Sequence, residues 1–533
     1  MKAPKVPELF NFTRDVLDGW AQTRPDALGL WCVDGATGVE QKFTFRELSR
    51  LSAQSANVFR ALGVRRGDRV LVMLPRVWQW WVAMLGLTRL GAVPIPATLQ
   101  LMPRDVAYRL ETAQITAILT NADGLAKVDG FDGLRMATCP PPTGWVDFNA
   151  ALAKAPADFS FEPTRAHDPA IIYFTSATTG EPKMVLHTHV SYGLAHRVTG
   201  ELWLDCKPGD IHWNVSDLGW AKAAWSSFYG PWHMGACVFA VDIHGKFDPA
   251  HTLDILAHYP ITTWCVPPTA LRLMVRQHLD KWRFPHLRHC VTAGEPLNPE
   301  IMKLWKNATG HDLYEGYGQT ESIILIGNYR SLNPTVQPGS MGKPTPGYQI
   351  ALLDEALQEV PVGQEGEIAL RVAPERPLGL FREYWQNPEE TAGQFHDGWY
   401  LTRDRAVRDA DGYFWFIGRT DDVIKSSGYR IGPFEVESVL LEHPAVLEAA
   451  IVGKPDAVRG QIVKAFITLR PEAVASDELK HELQQHCKHT AAPYKYPREI
   501  EFVEELPKTI SGKTRRVELR AQHSNSMAVG AAS

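Results

Sequence analysis

Ile171-Ile172-Tyr173-Phe174-Thr175-Ser176-Ala177-Thr178-Thr179-Gly180-Glu181-Pro182-Lys183 is the stretch whose reading decides the fold. Its first four residues are apolar and rich in β-formers, long enough for one buried strand. They run straight into a turn holding four Ser/Thr, one Gly and one Lys. Nothing in that turn can build a core. Its hydroxyls and backbone N–H groups can instead meet an anion, with Gly180 permitting a close turn and Lys183 adding positive charge. A solvated Ser/Thr-rich surface loop is the bland alternative, and the buried strand feeding the turn favours a phosphate cradle. A P-loop fails on spacing. That motif needs Gly, four residues, then Gly-Lys-Ser/Thr, whereas Glu181-Pro182 separate Gly180 from Lys183. At Gly512-Lys513-Thr514 the first glycine is replaced by Pro507.

The chain around this stretch has 533 residues, too many for one core, and suggests two to four domains. Hydrophobic content of 45% and charged content of 22% are those of a soluble globular protein. A net charge of −5 argues against a nucleic-acid partner or a polybasic membrane anchor. No apolar run is long enough for a membrane-spanning helix. The first seven residues carry neither a signal-peptide core nor the Arg/Ser bias of a transit peptide. The seven cysteines are scattered and never in Cys-x-x-Cys spacing, which excludes a disulfide framework and a zinc site. They suit a reducing cytoplasm, so a cytoplasmic location is expected. The oligomeric state is open. Several of the 17 tryptophans fall between Trp203 and Trp232, a cluster that fills a core or walls an apolar pocket.

Thr44-Phe45-Arg46-Glu47 has the form of a capping box, and Leu48, Leu51, Phe59 and Leu62 follow at near-helical spacing up to Gly63. Strands are predicted at 70–73, 93–95 and 117–120, with helices at 78–90 and 108–113. That alternation means a mainly parallel sheet with helices on both faces, where ligands bind beyond the carboxyl ends of strands. Residues 121–167 are Pro/Gly/Asp-rich and read as a surface crossing between two subdomains. The alternation resumes from 168 to about 330, with strands at 289–291 and 311–314. Short β pieces at 348–353 and 367–372 suggest a small β subdomain. After Gly418 come helix, strand, strand, helix and strand at 436–441, 449–452, 464–469, 478–487 and 499–503, a compact α+β unit. The tail, 521–533, is predicted to be disordered. The fold class is therefore α/β. A large N-terminal domain (1–420) of layered α/β subdomains with a β-rich subdomain precedes a small α+β domain (421–533).

Four more polar clusters lie at element ends. Glu315-Gly316-Tyr317-Gly318-Gln319-Thr320-Glu321 offers an aromatic face for a base, groups for orientation, and a carboxylate able to hold Mg²⁺. Asp404 could accept both hydroxyls of a ribose, or simply pair with a neighbouring Arg. Gly418-Arg419-Thr420-Asp421-Asp422 sits where the β-rich region gives way to the last domain and reads as a hinge. The loop 507–513 is turn-rich and ends in Lys513, a position that alone reads as exposed surface.

In this order the clusters resemble the adenylate-forming superfamily of acyl-CoA synthetases, nonribosomal adenylation domains and luciferases, over nearly the whole chain. Ala97-Thr98-Leu99-Gln100, the stretch 213–222, Ala293-Gly294-Glu295-Pro296-Leu297, the stretch 425–433 and Tyr494-Lys495-Tyr496-Pro497-Arg498 look like its medium-chain acyl-CoA synthetase branch. The resemblance implies that a carboxylate attacks the α-phosphate of ATP, and coenzyme A then displaces AMP to give a thioester. It implies that 175–183 hold the β- and γ-phosphates and that Glu321 carries Mg²⁺. Tyr317 and Gly294-Glu295-Pro296 would flank adenine, with Asp404 and Arg419 on the ribose. Thr320 would touch the α-phosphate or the acyl carboxylate, and Lys513 would bridge those two groups. For the second step it implies CoA contacts from Gln100, Ser427, Gly428, Tyr429, Arg430, Arg459, Tyr496, Pro497 and Arg498. Trp220 would be an aromatic gate, and the small domain would be mobile about Asp421. One departure is Ala177, where the family usually has Gly. A methyl there costs about 1–2 kcal/mol if φ is positive, so retained activity with altered nucleotide affinity is expected. The acyl specificity stays open among medium-chain, branched short and benzoate-like acids. Loading of a separate acyl-carrier protein is the alternative to CoA.

Overall fold

In the computed structural model the described residues are 6–128, 130–175, 181–243, 245–427, 429–456, 458–491, 494–509 and 513–521. Five residues of the phosphate turn singled out by the sequence (Ser176, Ala177, Thr178, Thr179 and Gly180), Gly428 and the tail from 522 onward lie outside them.

Local signals place the first elements. The Thr44 hydroxyl accepts from the Glu47 N–H at 3.2 Å and the Glu47 carboxylate from the Thr44 N–H at 2.8 Å. This starts the helix Phe45–Ala61. The helix Trp78–Leu90 ends on Gly91 at φ 77°, a conformation that glycine adopts without strain. The strands Val93–Pro96, Arg69–Met73 and Ala117–Thr120 lie side by side and parallel. Residues 121–167 are not the irregular crossing expected. Leu134–Ala137 and Val146–Asp147 extend the same sheet in parallel, and Phe148–Lys154 is helical. Strands of four and two residues are too short to show a period through the proline-rich segment between them.

A second, nine-stranded sheet forms the centre. Leu28–Asp34, Cys237–Asp242, Ile211–Asn214, Thr263–Cys265, His289–Ala293 and Leu313–Gly318 run parallel in that spatial order. Every residue of His289–Ala293 is buried, as befits a strand covered on both faces. The opening stretch departs from the parallel scheme. Pro169–Phe174 pairs antiparallel with Met184–Thr188, and Glu383–Tyr384 closes the far edge. The phosphate turn thus links two antiparallel strands rather than a strand and a helix. Its ends are tied, since the Thr175 N–H donates to the Lys183 carbonyl at 2.9 Å.

The β-rich region is an antiparallel sheet built around Ile350–Leu353, Glu365–Arg371, Trp399–Arg408 and Phe414–Arg419. The C-terminal unit pairs Val446–Asp456 with Gly460–Leu469 and adds Glu499–Phe502 in parallel. The helices Pro433–Glu442 and Asp477–Thr490 pack on it through Val436, Leu440, Leu483 and Cys487. The architecture is the expected large α/β N-terminal domain followed by a small α+β domain. Among the described residues no helix is long and apolar enough to cross a membrane, and all seven cysteines are free.

Candidate active site

The carboxyl ends of His289–Ala293 and Leu313–Gly318 deliver Gly294-Glu295-Pro296 and the segment 315–321 to one side of the central sheet, where open α/β sheets bind ligands. Two cavities of about 640 and 620 Å³ open there. Thr269, Gly294, Glu295, Gly318, Gln319, Thr320 and Lys513 line both, so they form the shared wall. Gly294 takes φ +104°, a turn that brings backbone rather than side chain to that wall.

In the second cavity Asp404 Oδ2 accepts from Tyr317 Oη at 2.7 Å and from Gln319 Nε2 at 2.8 Å. Arg419 is its ladder partner on the adjacent strand. Burial pushes the Asp404 carboxyl up, and Arg419 with the two donors opposes that shift. Gln319 is fixed at its other end by Tyr400, whose hydroxyl donates to Oε1 at 2.8 Å. Glu321 accepts from the Tyr384 hydroxyl at 2.8 Å and faces the cavity with Thr175, Glu181 and Lys183. Lys183 pairs with Glu390, and the Pro182 carbonyl accepts from Tyr108 Oη at 3.4 Å. Glu295 pairs with Arg272 at 3.2 Å. The Thr320 carbonyl accepts from His187 Nε2 at 2.8 Å and Tyr192 Oη at 2.9 Å. A carbonyl only accepts, so Nε2 carries the proton. Burial lowers His187 to about 3, which keeps the ring neutral.

Glu315 behaves differently from its neighbours. Its carboxyl is buried, Oε2 has no partner among the described residues, and desolvation raises its pKa to about 8. The folded-state value lies above the unfolded one, so the stability contributed is full below about pH 4.5 and is lost as pH rises through 8. Glu315→Gln keeps the shape and removes the ionisation. The melting temperature of the variant relative to wild type should therefore climb between pH 5 and 9, by an amount reflecting a few kcal/mol. A difference that stays constant with pH contradicts this.

In the first cavity Trp213, Trp220 and Trp225 stand with Val215, Leu218 and Ala270. The tryptophan cluster divides, because Trp203 and Trp232 are core residues with no exposed surface. Gln100 lines this cavity too, on a loop where Thr98 Oγ1 donates to Asp217 at 3.0 Å.

The C-terminal unit presents one of its candidate groups and withholds the others. Lys513 reaches the shared wall, and its N–H donates to Thr509 Oγ1 at 3.0 Å. Ser427, Tyr429, Arg430, Arg459, Tyr496, Pro497 and Arg498 line neither cavity. They meet one another or the surface instead. Arg459 donates to Ser427 Oγ at 3.1 Å, Arg498 to Tyr496 Oη at 2.8 Å, and Arg430 to Glu355 at 2.7 Å. Tyr429 stacks on Tyr494 at 4.1 Å.

A family profile described as AMP-binding enzyme matches residues 17–385, and its C-terminal-domain counterpart matches 435–513. The chain belongs to the AMP-binding enzyme family. Curated relatives of this AMP-binding enzyme include the Rattus norvegicus acyl-coenzyme A synthetase ACSM3, mitochondrial, 47% identical over 97% of the chain and 91% of the relative. Homo sapiens acyl-coenzyme A synthetase ACSM4, mitochondrial, is 46% identical with the same coverage. Among solved structures, the anthranilate CoA ligase AuaEII in complex with anthranoyl-AMP superposes with a TM-score of 0.90 at 30% identity, covering 99% of this chain and 100% of that one. These relatives correct one expectation. The cytoplasmic location does not stand, because the curated relatives are mitochondrial enzymes. Unpaired thiols report a reducing environment and do not say which compartment supplies it.

Some groups of this AMP-binding enzyme left no local signal. Arg516 makes two hydrogen bonds to Glu437 at 2.7 and 2.9 Å, and Arg520 pairs with Asp422 at 3.0 Å, tying the Lys513 segment back to the 421–422 junction. Tyr384 beneath Glu321 was equally unmarked, and Lys222 in the first cavity was marked only as the last residue of the branch-like stretch 213–222. Each depends on a partner tens of residues away.

Proposed function

We propose that the shared wall is the reaction centre of an AMP-forming acyl-CoA synthetase, with ATP in the second cavity and the acyl group in the first. The observation that carries this reading is that Thr320 and Lys513 line both cavities at once. An acid carboxylate entering from one side and an α-phosphate from the other meet there. The carboxylate oxygen attacks phosphorus, pyrophosphate leaves, and an acyl-adenylate results. The thiol of coenzyme A then gives up its proton to solvent as its sulfur attacks the acyl carbon, the bond from that carbon to the phosphate oxygen breaks, and AMP departs with the electron pair. Catalysis rests on positioning and charge neutralisation rather than on a protein nucleophile.

Asp404 is suited to the ribose hydroxyls because its donors Tyr317 and Gln319 hold Oδ2 and leave Oδ1. Arg419 balances its charge. Tyr317 and Gly294-Glu295-Pro296 bound the adenine, and Lys183 and Glu181 face the β- and γ-phosphates. Glu321 fits a magnesium ion, which is held by one or two carboxylates with phosphate oxygens and water completing the shell. Tyr384 occupies only Oε1, leaving Oε2 for the metal. Bound there, the ion would offset phosphate charge. The lysine turned inward and the Ser427–Arg459 region turned outward correspond to the adenylating arrangement. For the thioester step the small domain turns near Asp421, bringing Ser427, Tyr429, Arg459 and Tyr496–Arg498 to the CoA channel beside Gln100, with Trp220 as the gate.

The tryptophan-lined cavity favours acids larger than acetate. Each buried methylene contributes about 0.8 kcal/mol, roughly fourfold in kcat/KM per carbon until the cavity fills. AMP release assayed over a panel of acids should rank six- to eight-carbon or aromatic acids well above acetate. Acetate as the best substrate would overturn the assignment of this cavity.

A further inference from the structure

Lys222 sits on the helical turn Ala221–Ala224 directly after Trp220. Its side chain is partly enclosed, and the surface it keeps belongs to the wall of the first cavity. Among the described residues its ammonium makes one hydrogen bond, to the Ala293 carbonyl at 2.9 Å. A Cβ built on Gly294 would meet Nζ at 3.8 Å and nothing nearer. The ammonium therefore lies against the backbone of the wall that the two cavities share, which Thr320 and Lys513 also line.

No carboxylate pairs with Lys222 among the described residues. The acid nearest in influence, Glu295, is engaged by Arg272 at 3.2 Å. Lys513, lining the same wall, adds a second positive charge rather than a compensating negative one. An ammonium has three N–H donors, and the Ala293 carbonyl takes one. Two donors and a charge with no paired carboxylate among the described residues remain at the seam, and a partly desolvated cation there favours the arrival of an anion. Burial, followed by Glu295 and Cys265 acting against it and Lys513 acting with it, leaves the lysine with a lowered proton affinity.

We propose that Lys222 binds the free carboxylate of the acyl substrate at this seam before it is adenylated. The inference rests on the acyl-CoA synthetase reading. One carboxylate oxygen engages the ammonium while the other is left to attack the α-phosphate. Adenylation removes the carboxylate's charge, so Lys222 holds the acid more strongly than the acyl-adenylate. Its contribution therefore falls on acid binding and not on thioester formation.

The test is ATP–pyrophosphate exchange by the full chain with octanoate varied, comparing wild type with Lys222→Met, Lys222→Gln and Lys222→Arg. Both neutral variants should raise the octanoate KM by roughly 30-fold or more, leave the ATP KM within about twofold, and convert pre-formed octanoyl-adenylate to thioester at a rate within about twofold of wild type. Arginine should recover most of the octanoate affinity. An octanoate KM unchanged in the neutral variants, or acid and ATP KM values rising together, overturns the proposal. So does a loss of folding in both neutral variants with Lys222→Arg folded, which would assign the lysine to the scaffold. A wild-type chain that exchanges pyrophosphate with no acid would instead overturn the function itself.

Discussion

Lys513→Ala is expected to slow acyl-adenylate formation by roughly 10²–10³-fold, the size of effect seen when a single electrostatic donor is removed from a reacting centre. The variant, given pre-formed acyl-adenylate and CoA, should make thioester at close to the wild-type rate. Lys513 lines both cavities at their common wall, where two anions must approach each other. The loop that carries it is held independently of the ammonium. Its Thr509 N–H donates to the Lys513 carbonyl at 2.7 Å, and Lys508 pairs with Glu448 at 2.8 Å. Truncating the side chain should thus remove charge without unfolding the loop. Equal slowing of both half-reactions would contradict the assignment of Lys513 to one step.

Asp421→Pro should give the reverse pattern, with adenylation close to wild type and thioester formation slowed about tenfold or more by a stiffened hinge. The substitution removes little in the arrangement described. The flanking N–H groups of Thr420 and Asp422 donate to Arg403 and Arg419, both at 2.9 Å, whereas no backbone hydrogen bond from the Asp421 N–H is found among the described residues. The Asp421 carbonyl, which proline retains, accepts from Arg520 at 3.1 Å. Asp422 also pairs with Arg516 and Arg520, which fastens the Lys513 segment to this junction. Rotation must release or carry those pairs, so backbone freedom at 421 should matter most for the second step. Half-reaction assays distinguish the cases, and a proline variant that slows adenylation alone would count against a hinge here.

The features legible in the sequence were those written in contiguous residues. The capping box at Thr44, the helix stopped by Gly91 and the buried strand before Thr175 are local patterns, and each was found where its residues predicted. The order of polar clusters at strand ends was also local, and it brought Thr320, Asp404 and Lys513 into one reading before any contact was known. Pairing was not legible. Whether Pro169–Phe174 would meet a parallel or an antiparallel neighbour depends on Met184–Thr188 folding back, and an apolar run of five residues does not encode its direction. The short strands Leu134–Ala137 and Val146–Asp147 gain their identity only from the sheet edge they join. Charge partners were the least legible. Arg516 finds Glu437, and Tyr384 finds Glu321, across long separations. Lys222 is informative through the absence of an acidic partner among the described residues, which only three-dimensional neighbours can reveal. The compartment was misread because free thiols constrain redox state alone.

The most direct measurement follows one turnover in two stages. Purified full-length chain is mixed with ATP, Mg²⁺ and a six- to eight-carbon acid, and acyl-adenylate and pyrophosphate are quantified before and after CoA is added. The predicted result is adenylate and pyrophosphate in equal amounts first, followed on CoA addition by stoichiometric conversion of adenylate to acyl-CoA and AMP. Adenylate that accumulates and is never consumed by CoA would contradict the account and point to a carrier protein as the acceptor.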